Sequence, residues 1–150
     1  MKTVFDEATR SELIRRINSL QENKEAQWGK MNVYQMAKHC NLWDEWVHGR
    51  NNPIYIRSFL GRIFGKWALK NSVKDDTPMQ RNIPTSRDLV IHEKSGDLCL
   101  QKKKWTELVS AYAHYSNPAF VHDFFGKMTQ EEIGIFAYKH ADHHLRQFSC

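Results

Sequence analysis

The residues best suited to chemistry lie near the end of the chain, where Tyr138-Lys139-His140-Ala141-Asp142-His143-His144 carries three of the eight histidines. Positions four apart on a helix share a face, with Cβ atoms roughly 5–6 Å apart. His140 and His144 at that spacing could hold one divalent metal ion between them. The HExxH zinc helices use the same spacing, but the internal glutamate is missing here, so the metalloprotease mechanism does not follow. His143 complicates the pair, because it stands three residues from His140 and is also within geometric reach. Residues 143 and 144 point about 100° apart on the wheel. Spacing favours His144 only slightly, and the choice stays open on that ground.

Direction matters more than spacing. Ile133, Phe136, Ala137, His140 and His144 recur at helical period as one stripe, which aims both imidazoles at the core. Buried polar rings need partners. A metal satisfies both at once; the competing reading is that each ring hydrogen-bonds a carboxylate or a carbonyl. Two helical imidazoles rarely complete a site, so a third ligand must come from another element. His39 is the best candidate, since Met36, His39, Trp43 and Trp46 share a helical face, although a core histidine beside tryptophans would look the same. His48, His92, His114 and His122 fall at helix ends or in loops, where surface or capping roles are the default. His122, just before Phe124-Phe125-Gly126, could line the mouth of the site. No general base can be assigned. His143 or Asp142 could support the ligands from behind, and Arg62 or Lys66 could receive an acidic substrate.

Four helices are expected to position these groups. The first runs from Asp6 or Thr9 to Leu20, with Thr9-Arg10-Ser11-Glu12 as a capping box and Leu13, Ile14, Ile17 and Leu20 at helical spacing. The second runs from Asn32, an N-cap partnered by Gln35, to about His48, and is stopped by Gly49 and Asn51-Asn52-Pro53. The third starts near Ser95 to Asp97 and continues to about Tyr115, burying Leu98, Trp105, Leu108, Val109 and Tyr112. The fourth opens with the capping box Thr129-Gln130-Glu131-Glu132 and runs from Gln130 to about Gln147. Between the second and third lies an aromatic and basic segment, Pro53 to Lys70, which reads as a short amphipathic helix covering one end of the core. Its composition also suits a membrane surface or an anion, and Gly61 and Gly65 weaken it as a long helix. Asn71 to Lys94 reads as irregular, broken at Asp75-Asp76-Thr77-Pro78 and Ile83-Pro84-Thr85, with strand character only at Leu89 to Ile91. Helices with one apolar stripe each mean an all-α bundle, here one domain spanning residues 1–150.

Composition sets the outer bounds. Hydrophobic residues at 41% and charged residues at 26% argue against disorder. A net charge of +5 is too mild, without a recognised motif, to indicate nucleic acid as a partner. No stretch approaches the roughly 18 apolar residues of a membrane span, and Met1 to Glu7 lacks the apolar core of a secretory signal. Stable membrane insertion and export are therefore not expected. Cys40, Cys99 and Cys150 are odd in number and widely spaced, which fits reduced thiols in a cytoplasmic setting and argues against a cysteine-held zinc cluster.

Several of these segments resemble one family. Trp28-Gly29-Lys30-Met31-Asn32 followed by Gln35-Met36-Ala37-Lys38-His39 is similar to the opening of the second helix in DinB-like proteins. Arg81-Asn82-Ile83-Pro84-Thr85 looks like the central loop of an uncharacterised branch of that superfamily. Phe125-Gly126-Lys127-Met128-Thr129 and the run from Tyr138 to Phe148 look like its C-terminal motif. The resemblance spans nearly the whole chain, and the terminal motif is its specific part. It implies a four-helix bundle with a long crossover, often a homodimer, with the segment at about 53–70 as a short extra element. It also implies a metal held by one histidine of the second helix and an HxxxH pair of the fourth: His39, His140 and His144. Zinc or nickel is the metal it implies, and several such proteins are transferases or isomerases using low-molecular-weight thiols.

Three function classes follow. A metal-dependent enzyme would act on a small-molecule substrate as a thiol transferase or a hydrolase, because a bound divalent ion lowers the pKa of a water or thiol ligand. A non-catalytic bundle would use the metal for stability or sensing. An interaction module would present Pro53 to Lys70 to a membrane or partner and keep the histidines as core residues.

Overall fold

A computed structural model describes all 150 residues as five α-helices and two 3-10 turns, with no strand. The helices are α1 (Glu7–Asn18), α2 (Val33–His48), α3 (Phe59–Ser72), α4 (Leu98–Ala111) and α5 (Gln130–Gln147). Single 3-10 turns lie at Arg87–Leu89 and Tyr112–His114. Both long site-bearing helices begin with reciprocal capping boxes, Asn32 with Gln35 on α2 and Thr129 with Glu132 on α5. In each, the cap side chain accepts from an otherwise orphaned N–H, which fixes the first turn and hence the rotation of the helix.

Of the two starts expected for α1, the earlier is the one observed, and the Thr9 capping box does not form. Asp6, not Thr9, is the cap: its carboxylate accepts from the Thr9 N–H at 2.9 Å and from the Thr9 hydroxyl at 2.8 Å. An aspartate at position 6 caps the first-turn N–H of Thr9, so the helix begins before Thr9. Glu12 is left free to pair with Lys2 and, at 3.6 Å, with Arg16.

The core forms where α4 packs against α1 and α2, and α5 packs against the same two helices. Leu13 and Ile17 of α1, Met36, Ala37 and Val47 of α2, Trp105 and Val109 of α4, and Phe136 and Leu145 of α5 are all buried there. Asp44 of α2 is also buried. It accepts from the Tyr112 hydroxyl at 2.7 Å and the Trp105 indole N–H at 3.1 Å, so one carboxyl ties α2 to α4 and the turn beyond it. Burial pushes its pKa up to about 7, against the opposing pull of those two donors.

The segment expected to cover one end of the core is arranged the other way round. Residues 53–58 are not helical, and α3 begins one residue after its cap Ser58. Only Gly61, Gly65 and Leu69 of α3 are buried. Phe59, Leu60, Ile63, Phe64 and Trp67 are exposed. The physical reason is the glycine pair: a Cβ at Gly61 or Gly65 would overlap the Phe124 backbone. The helix thus docks by its side-chain-free face and turns its bulky residues outward.

The run Leu89 to Ile91 is not a strand either. It leaves the Arg87–Leu89 turn in extended form, and its carbonyls meet side chains of α2: Leu89 O meets His39, and Ile91 O accepts from Gln35. The isolated His122–Gly126 bridge is the one β-type pairing.

Candidate metal centre

α2 carries His39 on the face that also buries Met36 and Trp43, and α5 carries His140 and His144 on the face that buries Phe136 and Ala137. Where these faces meet, the three imidazoles converge. Their relative exposures are 3%, 8% and 7%, so none is a surface residue. The Nε2 atoms of His39 and His140 stand 3.2 Å apart. One ring nitrogen from each of the three lies within 4.8 Å of the others. Two nitrogens bound at 2.0–2.1 Å to a tetrahedral ion would be roughly 3.3 Å apart, so the His39–His140 spacing already suits a shared metal. Trp43 stacks on His140 with ring centroids 4.4 Å apart, which limits how that imidazole can turn.

Hydrogen bonds behind the rings fix which nitrogen faces inward. His39 Nδ1 lies 3.0 Å from Leu89 O, and His144 Nδ1 lies 3.0 Å from Gln147 Oε1. A carbonyl oxygen only accepts, so both Nδ1 atoms carry the proton and both Nε2 atoms present bare lone pairs. Gln147 is itself held, since its Nε2 donates to Trp28 O at 2.7 Å. Gly29 makes room for this contact: it has a left-handed φ of 82°, and a Cβ there would lie 2.7 Å from Gln147 Nε2.

Electrostatics agree with neutral rings. Burial lowers the pKa of His39, and lowers that of His144 to about 3. His140 is held well below the usual histidine range, first by burial and then by His144 and His39. A single proton on His140 Nε2 could satisfy one facing lone pair but not both. Three buried imidazoles with converging lone pairs are therefore complementary to a cation, and this donor set could hold a metal ion.

The other titratable residues considered from sequence take different places. His143 is half-buried beside the Trp28 ring, at 5.5 Å between centroids, and lines a recess together with Met79; it is not among the converging three. Asp142 does not support the ligands. It pairs with Arg16 at 2.8 Å and Arg146 at 3.0 Å. The outer supports are instead Leu89 O and Gln147. A backbone carbonyl leaves no signature in sequence, and Gln147, three residues beyond His144, was the only one that could have been found. His122 is buried among Trp46, Phe125 and Phe136, with Nδ1 accepting from the Phe124 N–H at 3.1 Å. His48 meets Leu108 O at 3.1 Å, whereas His92 and His114 are exposed.

A recess of about 460 Å³ is lined by Gln27, Trp28, Pro78, Met79, Arg81, His143 and Arg146, and by none of the three converging histidines. It is linked to the histidines through Gln147, which bonds the Gln27–Trp28 wall, and through His143, whose ring lies 5.1 Å from that of His144. Its basic residues are Arg81, stacked over Trp28 at 4.2 Å, and Arg146. Arg62 and Lys66, considered for substrate binding from sequence, are not in its lining; both are exposed on α3.

The family model described as "Protein of unknown function (DUF1569)" matches residues 5–150, and the chain belongs to that family. No curated protein and no solved structure matches it. No helix is long and apolar enough to cross a membrane.

Proposed function

We propose that this chain is a divalent-metal-binding protein of the DinB-like superfamily, with His39, His140 and His144 as its protein ligands. In this reading α1, α2, α4 and α5 form the four-helix bundle, and the long crossover between α2 and α4 carries α3. The observation that carries the proposal is the convergence of three buried, neutral imidazoles, two of them held by carbonyl oxygens in the tautomer that turns a bare Nε2 inward. An all-nitrogen set of three favours a borderline ion such as zinc or nickel over calcium or magnesium.

The enzymatic reading is a metal-dependent thiol S-transferase. Three protein ligands leave a coordination position, and a divalent ion there would lower the pKa of a thiol or water ligand. This chain's own residues would do the rest: Leu89 O and Gln147 orient the imidazoles, and the recess with Arg81 and Arg146 receives an anionic small molecule, such as a low-molecular-weight thiol bearing carboxylates. The competing reading is a metal-stabilised bundle without catalysis, favoured by the deep burial of all three histidines. A hydrolase is the variant in which water replaces the thiol.

Elemental analysis of protein purified without a histidine tag tests the site. One equivalent of zinc or nickel in the wild type, absent from His140→Ala and His144→Ala, supports it; unchanged metal in both variants refutes it. Cobalt-substituted protein then separates the two classes. A thiol that alters the visible d–d bands marks an open position. Insensitivity to thiols and other small ligands marks the closed structural site. Screening the loaded protein with thiols and electrophiles identifies the reaction.

A further inference from the structure

α3 turns a broad apolar face to solvent that neither the core nor the metal centre uses. At 100° per residue, Phe59, Leu60, Ile63, Phe64 and Trp67 cover an arc of roughly 140°, and all five are more than half exposed. Ile54 and Ile56, at 81% and 70% exposure, lie in the extended segment that leads into the helix. Scattered exposed apolar side chains need no explanation, but seven clustered in fourteen residues of sequence do. The opposite face is occupied, with Gly61 and Gly65 seated on the Phe124 backbone and Leu69 in the core. The outward orientation is thus built into the docking and is not a frayed end.

The charges name the occupant. Arg62, Lys66 and Lys70 follow one edge of the apolar arc at spacing four, and all three are exposed. Between Ile54 and Lys74 there are five basic residues and no acidic one. Two copies of this face pressed together would bring basic edges into one interface without a carboxylate from either segment to pair them. A bilayer carrying anionic headgroups offers the apolar phase and the negative surface together.

We infer that α3 is a membrane-surface element, lying in the plane of an anionic bilayer with Phe59, Ile63 and Trp67 in the acyl boundary and Arg62, Lys66 and Lys70 at the headgroups. The helix does not span, because it is too short and too polar on one edge. No residue of α3 lines the recess or belongs to the histidine cluster, so this inference does not depend on the metal.

Vesicle flotation of the full chain tests it, with vesicles of phosphatidylcholine alone or mixed with phosphatidylglycerol. Binding is expected to the mixed vesicles, to weaken with salt, and to be slight on phosphatidylcholine alone. The variant Arg62→Gln/Lys66→Gln/Lys70→Gln is expected to lose about fivefold in partitioning per charge, roughly a hundredfold in all. Phe59→Ser/Ile63→Ser/Trp67→Ser is expected to abolish binding. Because these positions are exposed, far-UV circular dichroism and thermal midpoint should stay as in wild type. Equal partitioning onto neutral and anionic vesicles, or none onto either, overturns the inference. So does a dimer in sedimentation velocity that the serine variant dissolves and that does not bind vesicles, since the occupant would then be a second copy.

Discussion

The metal proposal makes its sharpest prediction in stability. The cluster is assembled only when α2 and α5 pack, so an ion that binds it binds the folded chain and stabilises it by mass action. At a free zinc concentration about a thousandfold above the dissociation constant, that contribution is about 4 kcal/mol. For a chain of 150 residues, each kcal/mol moves the midpoint by about 2–4 °C, so the wild type should melt about 8–16 °C higher with zinc than with a chelator. His140→Ala removes the ligand whose Nε2 lies 3.2 Å from that of His39 and should abolish the zinc-induced shift. It should also lower the metal-free midpoint slightly, because the stacking contact with Trp43, worth about 0.5–1.5 kcal/mol, is lost. His143→Ala is the control. Its ring packs on Trp28 and lies outside the converging three, so the zinc shift should survive. Differential scanning calorimetry in buffered zinc reads both. A full zinc shift in His140→Ala, or its loss in His143→Ala with the fold intact, would refute the assignment.

Other expectations follow from the same geometry. His39, His140 and His144 all have folded pKa values below the ordinary histidine value of about 6.5, so the unfolded chain binds protons that the folded chain refuses. Metal-free stability should therefore be fully present above about pH 6.5 and fall as acid is added, by up to about 1.4 kcal/mol per pH unit for each histidine; denaturant titration of wild type against His144→Ala shows whether one such share disappears. Asp44 has the opposite sign, because its folded pKa of about 7 lies above the ordinary aspartate value of 3.8. Its contribution is complete below about pH 4 and is lost as pH rises through 7, roughly 4 kcal/mol at order of magnitude, so wild type should lose stability relative to Asp44→Asn between about pH 4 and 7; a difference that stays constant contradicts the raised pKa. Gln147→Leu removes the acceptor behind His144 and should weaken zinc binding about 10–100-fold in a chelator competition, by analogy with other outer-sphere partners. Gly65→Ala sets a helix-propensity gain of about 1 kcal/mol against an overlap with the Phe124 carbonyl, which is backbone and has little room to give. Overpacking of about 1–3 kcal/mol should win, and a raised midpoint would show that α3 can lift away at little cost.

What could be read from the sequence, and what could not, divides along one physical line. Periodicity and caps are local, so α2 and α5 were delimited to within a residue by Asn32–Gln35 and Thr129–Glu132. The stripe from Ile133 to His144 likewise set the direction of two imidazoles, since the whole face is carried on one helix. Choosing between His143 and His144 needed more, because it depends on how α5 is rotated against α2, and both rotations satisfy the spacing. The supports behind the rings were out of reach for a different reason. Leu89 O is a backbone atom, and its position depends on how an irregular segment crosses α2.

α3 shows how the local signal misleads. Its apolar arc was visible, and the inference that such an arc faces the core holds for most helices. It assumes that burying large side chains decides the docking. Here close backbone approach decides it, because two glycines one turn apart let the helix sit on Phe124 where no side chain would fit. The same Gly61 and Gly65 that weakened the helix on propensity grounds are its attachment. Glycines at spacing four opposite an apolar stripe therefore carry information that hydrophobicity does not, and they favour an element that holds its large residues out for something else to bury.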